Sequence, residues 1–473
     1  MDMIATKELT ISSAFDAGNI EVERVAHVEG EIFQNVGHTW LVQLKIKPDP
    51  HTELEKKNHM QWFAFRSTLS SCGALLGGSV RYEIINAGDA SYPQAWPGSE
   101  VCYSFDKKHW LRCSETAFDD SGKVLHWKFD HSMVPCPGAS VYFAYFDLYP
   151  YERQLELVAK CAAVTGATVR SLGQTLDGRE LDCVEVGSGP LHAWVIHRQH
   201  PGESQASFFA EGLLTRLLGL NHPNGHPRDG LVVKLLNQFT FHVVPNMNPD
   251  GAVRGHLRVN SCGANLNREW APTGEYDAPT LARSPEVFHA LAAMDATGVD
   301  FFADVHGDEE LPFTFIAGCE GLPIWGPRIK ALQGAFLGAY SRANPDMQRR
   351  FGYEADPPLG SNLAIGSNQV AQRFNCLGFT LEMPFKDCAS NVGAGGPFQG
   401  ERCVALGASM LDGLAYVASS LRGVDVPSFP HPDDEYVEPI EDAKVNAEWI
   451  AQQSRGAPSE VANGGGAKRR KVV

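Results

Sequence analysis

The sequence lacks an excess of basic residues: its 40 lysines and arginines are outnumbered by 56 aspartates and glutamates, and the formal net charge is −16. Proteins that bind nucleic acid or an anionic membrane through charge present a basic surface, so neither partner is expected. The chain also lacks an apolar run of the roughly 20 residues that cross a bilayer. Its first residues have neither the basic start nor the apolar core of a secretory signal, so we expect a cytoplasmic protein.

Paired cysteines are absent as well. The eleven cysteines are an odd number, they are scattered from Cys72 to Cys403, and no Cys-x-x-Cys occurs. A small secreted domain held by disulfides has a denser and even-numbered set, and a zinc ribbon has paired spacing. Reduced thiols in a cytosolic protein are therefore the simpler interpretation.

The chain does contain enough apolar sequence for more than one globular domain. It has 473 residues, of which 43% are hydrophobic and 20% charged, as is typical of folded proteins. We expect residues 1–18 to form an N-terminal tail. Residues 19–150 contain short apolar or alternating runs separated by turn formers, which predict an antiparallel β-sandwich. The aromatic residues expected in its packed core are Trp62, Trp96, Trp110 and Trp127.

Strand-like and helix-like runs alternate from residue 151 to residue 422, which indicates an α/β domain built on a mixed sheet. Residues 423–473 are rich in proline, glycine and charge and are expected to form a flexible C-terminal tail. The predicted fold class is therefore α/β, with an N-terminal antiparallel β-sandwich followed by a mixed-sheet α/β domain.

The first chemical motif is a tight turn after the strand-like run HAWVI. His200 and Glu203 flank Pro201–Gly202, beyond the carboxyl end of a strand, where open α/β sheets bind ligands. An imidazole and a carboxylate suit Zn²⁺, which in catalytic sites takes a third protein ligand and keeps one position open. The spacing alone is weak evidence, because His306 and Glu309 repeat it.

Two later runs and the loop between the motifs carry matching chemistry. The apolar run FFADVH ends in His306, which could supply the third ligand. The apolar run LGFTLEMPF carries Glu382, a costly place for a carboxylate unless it acts as a general base. The intervening loop contains Arg254, Arg258 and Arg268, and arginine is the side chain that binds carboxylates through bidentate hydrogen bonds.

The segments HPGE, NPDG…NLNREW, DVHGD and TLEMPF, in this order, resemble the zinc metallocarboxypeptidases. The preceding β-rich region, with YSFDKKHWLRC and YFAYFDLYPYE, resembles the amino-terminal domain of the cytosolic carboxypeptidase subfamily. The resemblance covers residues 20–420. It implies an enzyme that binds one zinc ion per chain and hydrolyses the C-terminal peptide bond of peptides or protein tails.

The resemblance also implies a role for individual residues. The implied zinc ligands are His200, Glu203 and His306. Glu382 would serve as general base and acid, and Arg258 would polarise the scissile carbonyl. Asn267 and Arg268 would bind the free α-carboxylate of the substrate, which restricts cleavage to a carboxyl terminus.

Two positions depart from the family pattern. Asn265 stands where relatives usually have an aspartate that orients the first zinc histidine, and an amide raises the basicity of that ligand less. We therefore expect a lower metal affinity or rate. His256 replaces the asparagine that usually precedes the polarising arginine. Tyr353 is a candidate for the mobile tyrosine that secreted relatives use.

The preferred terminal residue depends on the pocket. Members that trim glutamate from tubulin tails carry a basic pocket residue shortly before the catalytic glutamate, and in this chain Gln369 and Arg373 occupy that neighbourhood. A preference for acidic, glutamate-like C-terminal residues is therefore a hypothesis. Two other functions stay open: a zinc amidohydrolase of the aspartoacylase or desuccinylase type, acting on small N-acyl amino acids, and an inactive peptide-binding module.

Overall fold

The computed structural model describes residues 3–440 except for 6, 7, 30, 31, 33, 35, 36, 54–57, 76, 77, 221–228, 273–277 and 392–396. Two β-sheets are formed before residue 150, and a third sheet flanked by helices follows. The predicted α/β class and the order of its two parts are confirmed.

The N-terminal part consists mainly of short strands. In chain order its elements are β1 (Met3–Ala5), β2 (Leu9–Ser12), β3 (Glu21–His27), β4 (Trp40–Lys45), β5 (Ala64–Leu69), α1 (Ser71–Leu75), β6 (Ser79–Ile84), β7 (Cys102–Ser104), β8 (Leu111–Arg112), β9 (Ala117–Asp119), β10 (Val124–Asp130) and β11 (Ser140–Ala144). One sheet has the order β1-β2-β5-β11-β7-β8, and the other has the order β3-β4-β6-β10-β9.

The two N-terminal sheets pack face to face through aromatic side chains. Along β10, buried and half-buried residues alternate, so that every second side chain points inward. Trp127 of this strand lies with its ring centroid 6.1 Å from that of Phe65 and 5.6 Å from that of Phe143, both of the opposite sheet. All four predicted core tryptophans are at most 7% exposed, which confirms that they form a packed core.

The N-terminal part differs from the prediction in two respects. Residues 1–18 were expected to be a tail, but β1 and β2 lie among them and pair with each other, and β2 pairs with β5. The physical reason is the alternation of Leu9 and Ile11, whose side chains are fully buried in the sheet. The sandwich is also not wholly antiparallel, because β4 and β6 run parallel, with β5 of the other sheet between them in sequence.

The second part alternates helices and strands. Its elements are α2 (Tyr151–Ala162), β12 (Ala167–Gln174), β13 (Glu180–Gly187), β14 (Leu191–His197), α3 (Gln205–Leu218), α4 (Gly230–Gln238), β15 (Phe239–Val244), α5 (Pro249–Arg254), α6 (Pro285–Thr297), β16 (Phe301–Val305), β17 (Phe315–Ala317), α7 (Pro327–Ala343), α8 (Gly366–Phe374), β18 (Leu377–Glu382) and α9 (Gly400–Val417). Short 3₁₀ turns in the whole chain include Ala87–Asp89, Pro93–Ala95, His131–Met133, Leu266–Arg268, Ala389–Asn391, Ala418–Ser420 and Pro432–Asp434.

The third sheet brings the ends of three motif-bearing strands together. Its order is β12-β13-β15-β14-β16-β18-β17, and the central strands β15, β14, β16 and β18 are parallel. All residues of β16 and β18 are buried, as expected of strands covered on both faces. His306 follows β16 directly and Glu382 is the last residue of β18. The carboxyl ends of these strands therefore form one edge on which a site can be built.

Among the described residues, α9 is the one helix that is both long and apolar enough to be a candidate membrane span. By length and composition alone, the stretch Gly400–Ser420, with a mean hydropathy of 1.3, could cross a membrane, although half of its most apolar window is buried. Gly407 brings α9 close to α3, because a Cβ at this glycine would lie 2.0 Å from the carbonyl oxygen of Phe209. α9 is therefore packed as a core helix.

The segment after α9 is more ordered than the flexible tail expected from sequence. The carboxylate of Asp434 accepts hydrogen bonds from Tyr416 at 2.6 Å and from Arg342 at 3.1 Å. Tyr436 donates to Glu320 at 2.9 Å, and Ile440 forms a bridge with Phe351. Residues up to 440 thus run along the α/β part of the chain, and the rest of the predicted tail, 441–473, lies outside the described residues.

Candidate active site

The turn after β14 places His200 and Glu203. Arg198 adopts a left-handed backbone conformation with φ of 57°, and its buried guanidinium donates to the carbonyl oxygen of Pro201 at 2.8 Å. Gly202 packs closely against a neighbouring loop, since a Cβ there would lie 3.0 Å from the carbonyl oxygen of Leu257. These contacts direct both side chains to the edge of the sheet.

Three side chains converge at this edge. Glu203 Oε1 lies 2.6 Å from His200 Nδ1, and Glu203 Oε2 lies 2.8 Å from His306 Nδ1. The two Nδ1 atoms are 3.1 Å apart. The backbone N–H of Gly307 donates to Glu203 Oε2 at 3.1 Å, which fixes the carboxylate. The structure thus brings together the three residues that the sequence predicted as metal ligands.

The outer nitrogen of each imidazole faces an oxygen. His306 Nε2 lies 2.9 Å from Asp304 Oδ1, and His200 Nε2 lies 3.2 Å from Asn265 Oδ1. Gln199 holds the other oxygen of Asp304 through a donor at 2.6 Å. An N–H at Nε2 leaves a lone pair at Nδ1. The contact with Asn265 favours this form of His200, and the adjacent carboxylate of Asp304 favours it electrostatically for His306, so that both Nδ1 atoms can face one point.

The donor set fits zinc. Nitrogen and oxygen ligands lie about 2.0–2.1 Å from Zn²⁺, so tetrahedral ligand atoms stand roughly 3.3 Å apart. The observed separations of 2.6 to 3.1 Å between the facing atoms of His200, Glu203 and His306 are close to that spacing. Two imidazoles and one carboxylate are also the ligand set that leaves a catalytic zinc one open position.

A second group of metal-binding side chains lacks this arrangement. Cys183, Glu185 and His242 also lie close together. However, Arg170 already neutralises Glu185 at 2.7 Å, and His242 Nδ1 lies 2.9 Å from the same carboxylate oxygen. Burial raises the pKa of the Cys183 thiol, which disfavours the thiolate that a metal requires. An internally satisfied polar network explains this group.

The two candidate imidazoles have opposite electrostatic surroundings. Burial, together with the nearby charge of Arg258, lowers the pKa of His200 to about 3, so that this side chain is neutral. For His306, burial acts in the same direction, but the carboxylates of Asp304 and Glu203 outweigh it and raise the pKa. Both imidazoles outweigh the burial of Glu203 and hold the pKa of its carboxyl below the usual range. The carboxylate is therefore charged.

Glu382 faces the same cleft from the end of β18 and is 7% exposed. Among the described residues, its Oε2 atom has no hydrogen-bond partner. Burial and the carboxylates of Glu203, Asp308 and Glu309 raise the pKa of Glu382, although His306 opposes them. A carboxylate with a raised pKa and an unengaged oxygen is suited to accept and return a proton.

Arg258, predicted to act in catalysis, and the predicted substrate-binding residues Asn267 and Arg268 also line this cleft. Arg258 Nη1 is 3.4 Å from the hydroxyl of Tyr92. Asn267 belongs to a 3₁₀ turn and accepts a hydrogen bond from the N–H of Gly366 at 2.8 Å, at the start of α8. Arg268 donates to the carbonyl oxygen of Asn267 at 2.7 Å. All three predicted residues line the cleft that contains His200 and Glu203.

The cleft is open, measures about 380 Å³ and is predominantly acidic. Its lining arginines are Arg258 and Arg268. They are outnumbered by lining carboxylates, which are Glu203, Asp308, Glu309, Glu310, Glu320, Glu354, Asp356 and Glu382. Small residues, including Ala317 and Gly318, and the hydroxyl of Thr380 form the wall beside Glu382.

The sequence-based specificity candidates fall outside this cleft. Arg373 is exposed and forms an ion pair with Asp295 at 2.6 Å. Neither it nor Gln369 belongs to the described residues that line the cleft. Tyr353 does line the cleft, and its hydroxyl donates to Asp308 at 2.6 Å.

Three residues of the site were not predicted from the sequence. Asp304 could have been found, because it lies in β16 two positions before His306, which directly follows that strand, and side chains two positions apart in extended backbone share a face. Asp49 and Tyr92 had no detectable signal: they belong to the N-terminal part yet contact the backbone or side chain of Arg258. Proximity between residues so distant in sequence is decided by domain packing.

Two protein-family models match the chain. The model for the cytosolic carboxypeptidase N-terminal domain matches residues 11–146, and the model for zinc carboxypeptidase matches residues 156–326.

Solved structures and a curated relative extend this similarity. A metallo-carboxypeptidase of Pseudomonas aeruginosa, solved with (2-guanidinoethylmercapto)succinic acid, is 35% identical with a TM-score of 0.72, over 87% of this chain and 100% of that one. A metallo-carboxypeptidase of Burkholderia cenocepacia is 36% identical with a TM-score of 0.72, over 86% of this chain and 98% of that one. Human cytosolic carboxypeptidase 4 is 27% identical over 246 residues, which are 47% of this chain and 21% of that protein. The match thus spans about a fifth of the human relative's length.

Proposed function

Because this chain belongs to the zinc carboxypeptidase family, whose members hydrolyse peptide bonds, we propose that it is zinc-dependent and releases single residues from the carboxyl termini of peptides or protein tails. The observation that carries the proposal is the convergence of His200, Glu203 and His306 on one point in a cleft that also contains Glu382. A cytoplasmic location is proposed with it. The match to the cytosolic carboxypeptidase N-terminal domain and the free thiols of the described cysteines support that location.

Each cleft residue has a chemical task in this proposal. The residues that would hold one zinc ion are His200, Glu203 and His306. Zinc bound there would lower the pKa of a water molecule toward neutrality and polarise a carbonyl. Glu382 takes the proton of the attacking water and returns it to the leaving amine. Arg258 stabilises negative charge that develops on the carbonyl oxygen, while Asn267 and Arg268 bind the terminal carboxylate.

The test combines metal analysis with peptide cleavage. Purified protein is expected to contain one zinc per chain and to shorten C-terminal peptide libraries by one residue at a time. Glu382→Gln keeps the size of the side chain but removes the base, so it should abolish release while zinc content stays unchanged. Glu156→Gln, at an exposed position on α2, is the matched control and should behave like the parent protein.

The other possible results of this test would distinguish between the alternative functions. Stoichiometric zinc without release from any peptide would favour an amidohydrolase of the aspartoacylase or desuccinylase type acting on small N-acyl amino acids. Absence of both zinc and release would favour an inactive peptide-binding module. Release that is unaffected by Glu382→Gln or by zinc chelation would contradict the proposed roles of Glu382 and zinc.

The charge of the cleft bears on the preferred terminal residue. A preference for acidic residues rested on Gln369 and Arg373, which lie outside the cleft, and Arg373 is already paired with Asp295. The carboxylates that line the cleft instead favour a cationic side chain. The ligand of the Pseudomonas aeruginosa relative, by its name, combines a guanidino group with succinic acid. We therefore propose that lysine or arginine is the preferred terminal residue.

Glu320 is the best-placed residue to recognise that cation. It lines the cleft shortly after the end of β17 and follows the lining residues Ala317 and Gly318 in sequence. Gln333 and Tyr436 both donate to its Oε1 atom, at 2.8 and 2.9 Å, so the carboxylate is held in place. A fixed carboxylate in the lining of a cleft binds an ammonium or guanidinium group well.

Peptides that differ only in the last residue test this preference. We expect release of lysine or arginine to exceed that of alanine, and release of glutamate to be slowest. Glu320→Gln should lower kcat/KM for lysine about 10- to 150-fold relative to alanine, because a hydrogen bond to a charged group contributes about 1.5–3 kcal/mol. Glu156→Gln should not change this ratio. Fastest release of glutamate would restore the acidic hypothesis.

A further inference from the structure

The N-terminal domain holds the loop that carries Arg258 through hydrogen bonds to its backbone. Asp49, 209 residues earlier in the sequence, accepts a hydrogen bond from the backbone N–H of Arg258 at 2.7 Å. The same carboxylate accepts the N–H groups of Leu257 at 2.7 Å and Val259 at 3.1 Å. Its three donors are consecutive, and the aspartate is only 4% exposed. Such a buried carboxylate fixes the course of the loop in a single arrangement.

Further contacts between the two domains lie on either side of the Asp49 hydrogen bonds. Asn19 donates to the carbonyl oxygen of Gly255 at 3.0 Å. At the other end of the loop, a Cβ on Gly263 would lie 1.8 Å from the carbonyl oxygen of His51. Both glycines have positive φ, of 72° and 88°, so they allow a close backbone approach that other residues would prevent. The loop therefore contacts the N-terminal domain near both of its ends as well as at Asp49.

Tyr92 adds a contact to the side chain itself. Its hydroxyl lies 3.4 Å from Arg258 Nη1, and it lines the cleft. Its backbone is locked by Gln61, which donates to its carbonyl oxygen at 3.2 Å and accepts from its N–H at 3.1 Å. Arg258 lowers the pKa of Tyr92, but burial and nearby carboxylates outweigh it and raise the pKa to about 12. The phenol is therefore neutral at physiological pH.

The location of Arg258 explains why such support matters. It lies outside the helices and strands of the described chain, between α5 and a 3₁₀ turn. A charged donor that stabilises a transition state works only if its position is fixed beforehand, because reorganisation costs free energy at the reacting step. Neither α5 nor the third sheet supplies the three backbone hydrogen bonds; the N-terminal domain does.

We propose that Asp49 and Tyr92 are positioning residues for Arg258, so that the N-terminal β domain supplies part of the active-site framework of the catalytic domain. The proposal rests on the role that the proposed function gives to Arg258. It assigns to the N-terminal domain a task in catalysis in addition to its own folding.

The test is a double-mutant cycle on the full chain. Asp49→Asn retains the size of the side chain but cannot accept all three hydrogen bonds, and we expect kcat to fall about 10- to 100-fold with little change in KM. Zinc content should stay at that of the parent. Asp106→Asn is the matched control, because Asp106 also accepts backbone N–H groups, at 2.8 and 2.9 Å, but does so at an exposed site. In an Arg258→Ala background, Asp49→Asn should have no further effect on kcat.

A second variant keeps the proposal testable if Asp49→Asn destabilises the fold. Tyr92→Phe leaves the Asp49 contacts intact and should lower kcat by a smaller factor, which should also vanish in the Arg258→Ala background. Equal losses from these variants with and without Arg258 would overturn the positioning role, since the effects would then not pass through the arginine. If Arg258→Ala alone leaves kcat unchanged, the role of Arg258 in the proposed function fails, and the inference fails with it.

Discussion

Replacing Asn265 by aspartate should tighten zinc binding. The two candidate ligand imidazoles have unequal outer partners: His306 Nε2 faces a carboxylate, Asp304, at 2.9 Å, whereas His200 Nε2 faces the amide oxygen of Asn265 at 3.2 Å. A carboxylate partner polarises the imidazole more strongly and makes its other nitrogen a better ligand, and such outer partners change metal affinity about 10- to 100-fold. Asn265→Asp therefore moves His200 toward the situation of His306.

The opposite substitution, of the carboxylate beside His306, indicates how large the change in zinc affinity should be. Asp304→Asn should weaken zinc binding about 10- to 100-fold, or about 1.4–2.7 kcal/mol. The gain from Asn265→Asp should be at the lower end, about tenfold, because position 265 is only 2% exposed and a new buried carboxylate carries a desolvation penalty. Controls are Asn237→Asp, on the exposed side of α4, and Asp295→Asn, in the exposed pair with Arg373.

Competition with a chromophoric zinc chelator at neutral pH measures both changes. Circular dichroism should show the same fold for all variants. The reasoning would be refuted if Asn265→Asp weakened zinc binding while Asp304→Asn left it unchanged, since the outer partners would then not govern the imidazoles. Unchanged affinity in both variants would lead to the same conclusion.

Three further outcomes are expected. Burial lowers the pKa of His131 to about 4, so between about pH 6.5 and pH 4 the unfolded chain binds a proton that the folded chain does not. The free energy of unfolding should therefore fall by about 3 kcal/mol over this pH range. Thermal unfolding of His131→Gln should show a weaker pH dependence. Gly407→Ala should lower the free energy of unfolding by about 1–3 kcal/mol in denaturant titration, because its Cβ would meet the backbone of α3, whereas Gly230→Ala, in open space, should not. Tyr353→Phe removes the donor to Asp308 and should lower kcat/KM about tenfold or less at unchanged zinc content, as steady-state kinetics would show; an unchanged value would place this tyrosine outside the reaction.

Local chemistry along the chain made His200, Glu203 and His306 candidates for one site, and the resemblance to the zinc metallocarboxypeptidases implied that they are the metal ligands. His200 and Glu203 are separated by one tight turn, and His306 and Glu382 stand at or directly after the ends of buried strands. Parallel strands align their carboxyl ends, so residues that share this local context meet without any knowledge of distant contacts. The tryptophan-rich β core was predictable for a similar reason, since alternation and burial are local properties.

Other features were decided by tertiary structure. The sequence around Arg373 suggested a pocket cation, but packing turned this side chain outward to Asp295. The segment up to Ile440 resembles a tail in composition, yet Asp434 is anchored by Tyr416 and Arg342. Composition reports the average polarity of a segment, whereas a few buried polar contacts decide whether it is held.

The sequence by itself therefore determined the fold class, the order of the motifs and the residues that face the candidate metal site. Only the tertiary structure decided the acidic character of the cleft, because its carboxylates come from separate segments of the chain. The tertiary structure also decided the hydrogen bonds between Asp49 and the loop of Arg258. The physical reason is the separation in sequence over which each kind of interaction acts. Turns and strand ends act over a few residues, while electrostatic surroundings and domain contacts depend on residues that become neighbours only after the chain has folded.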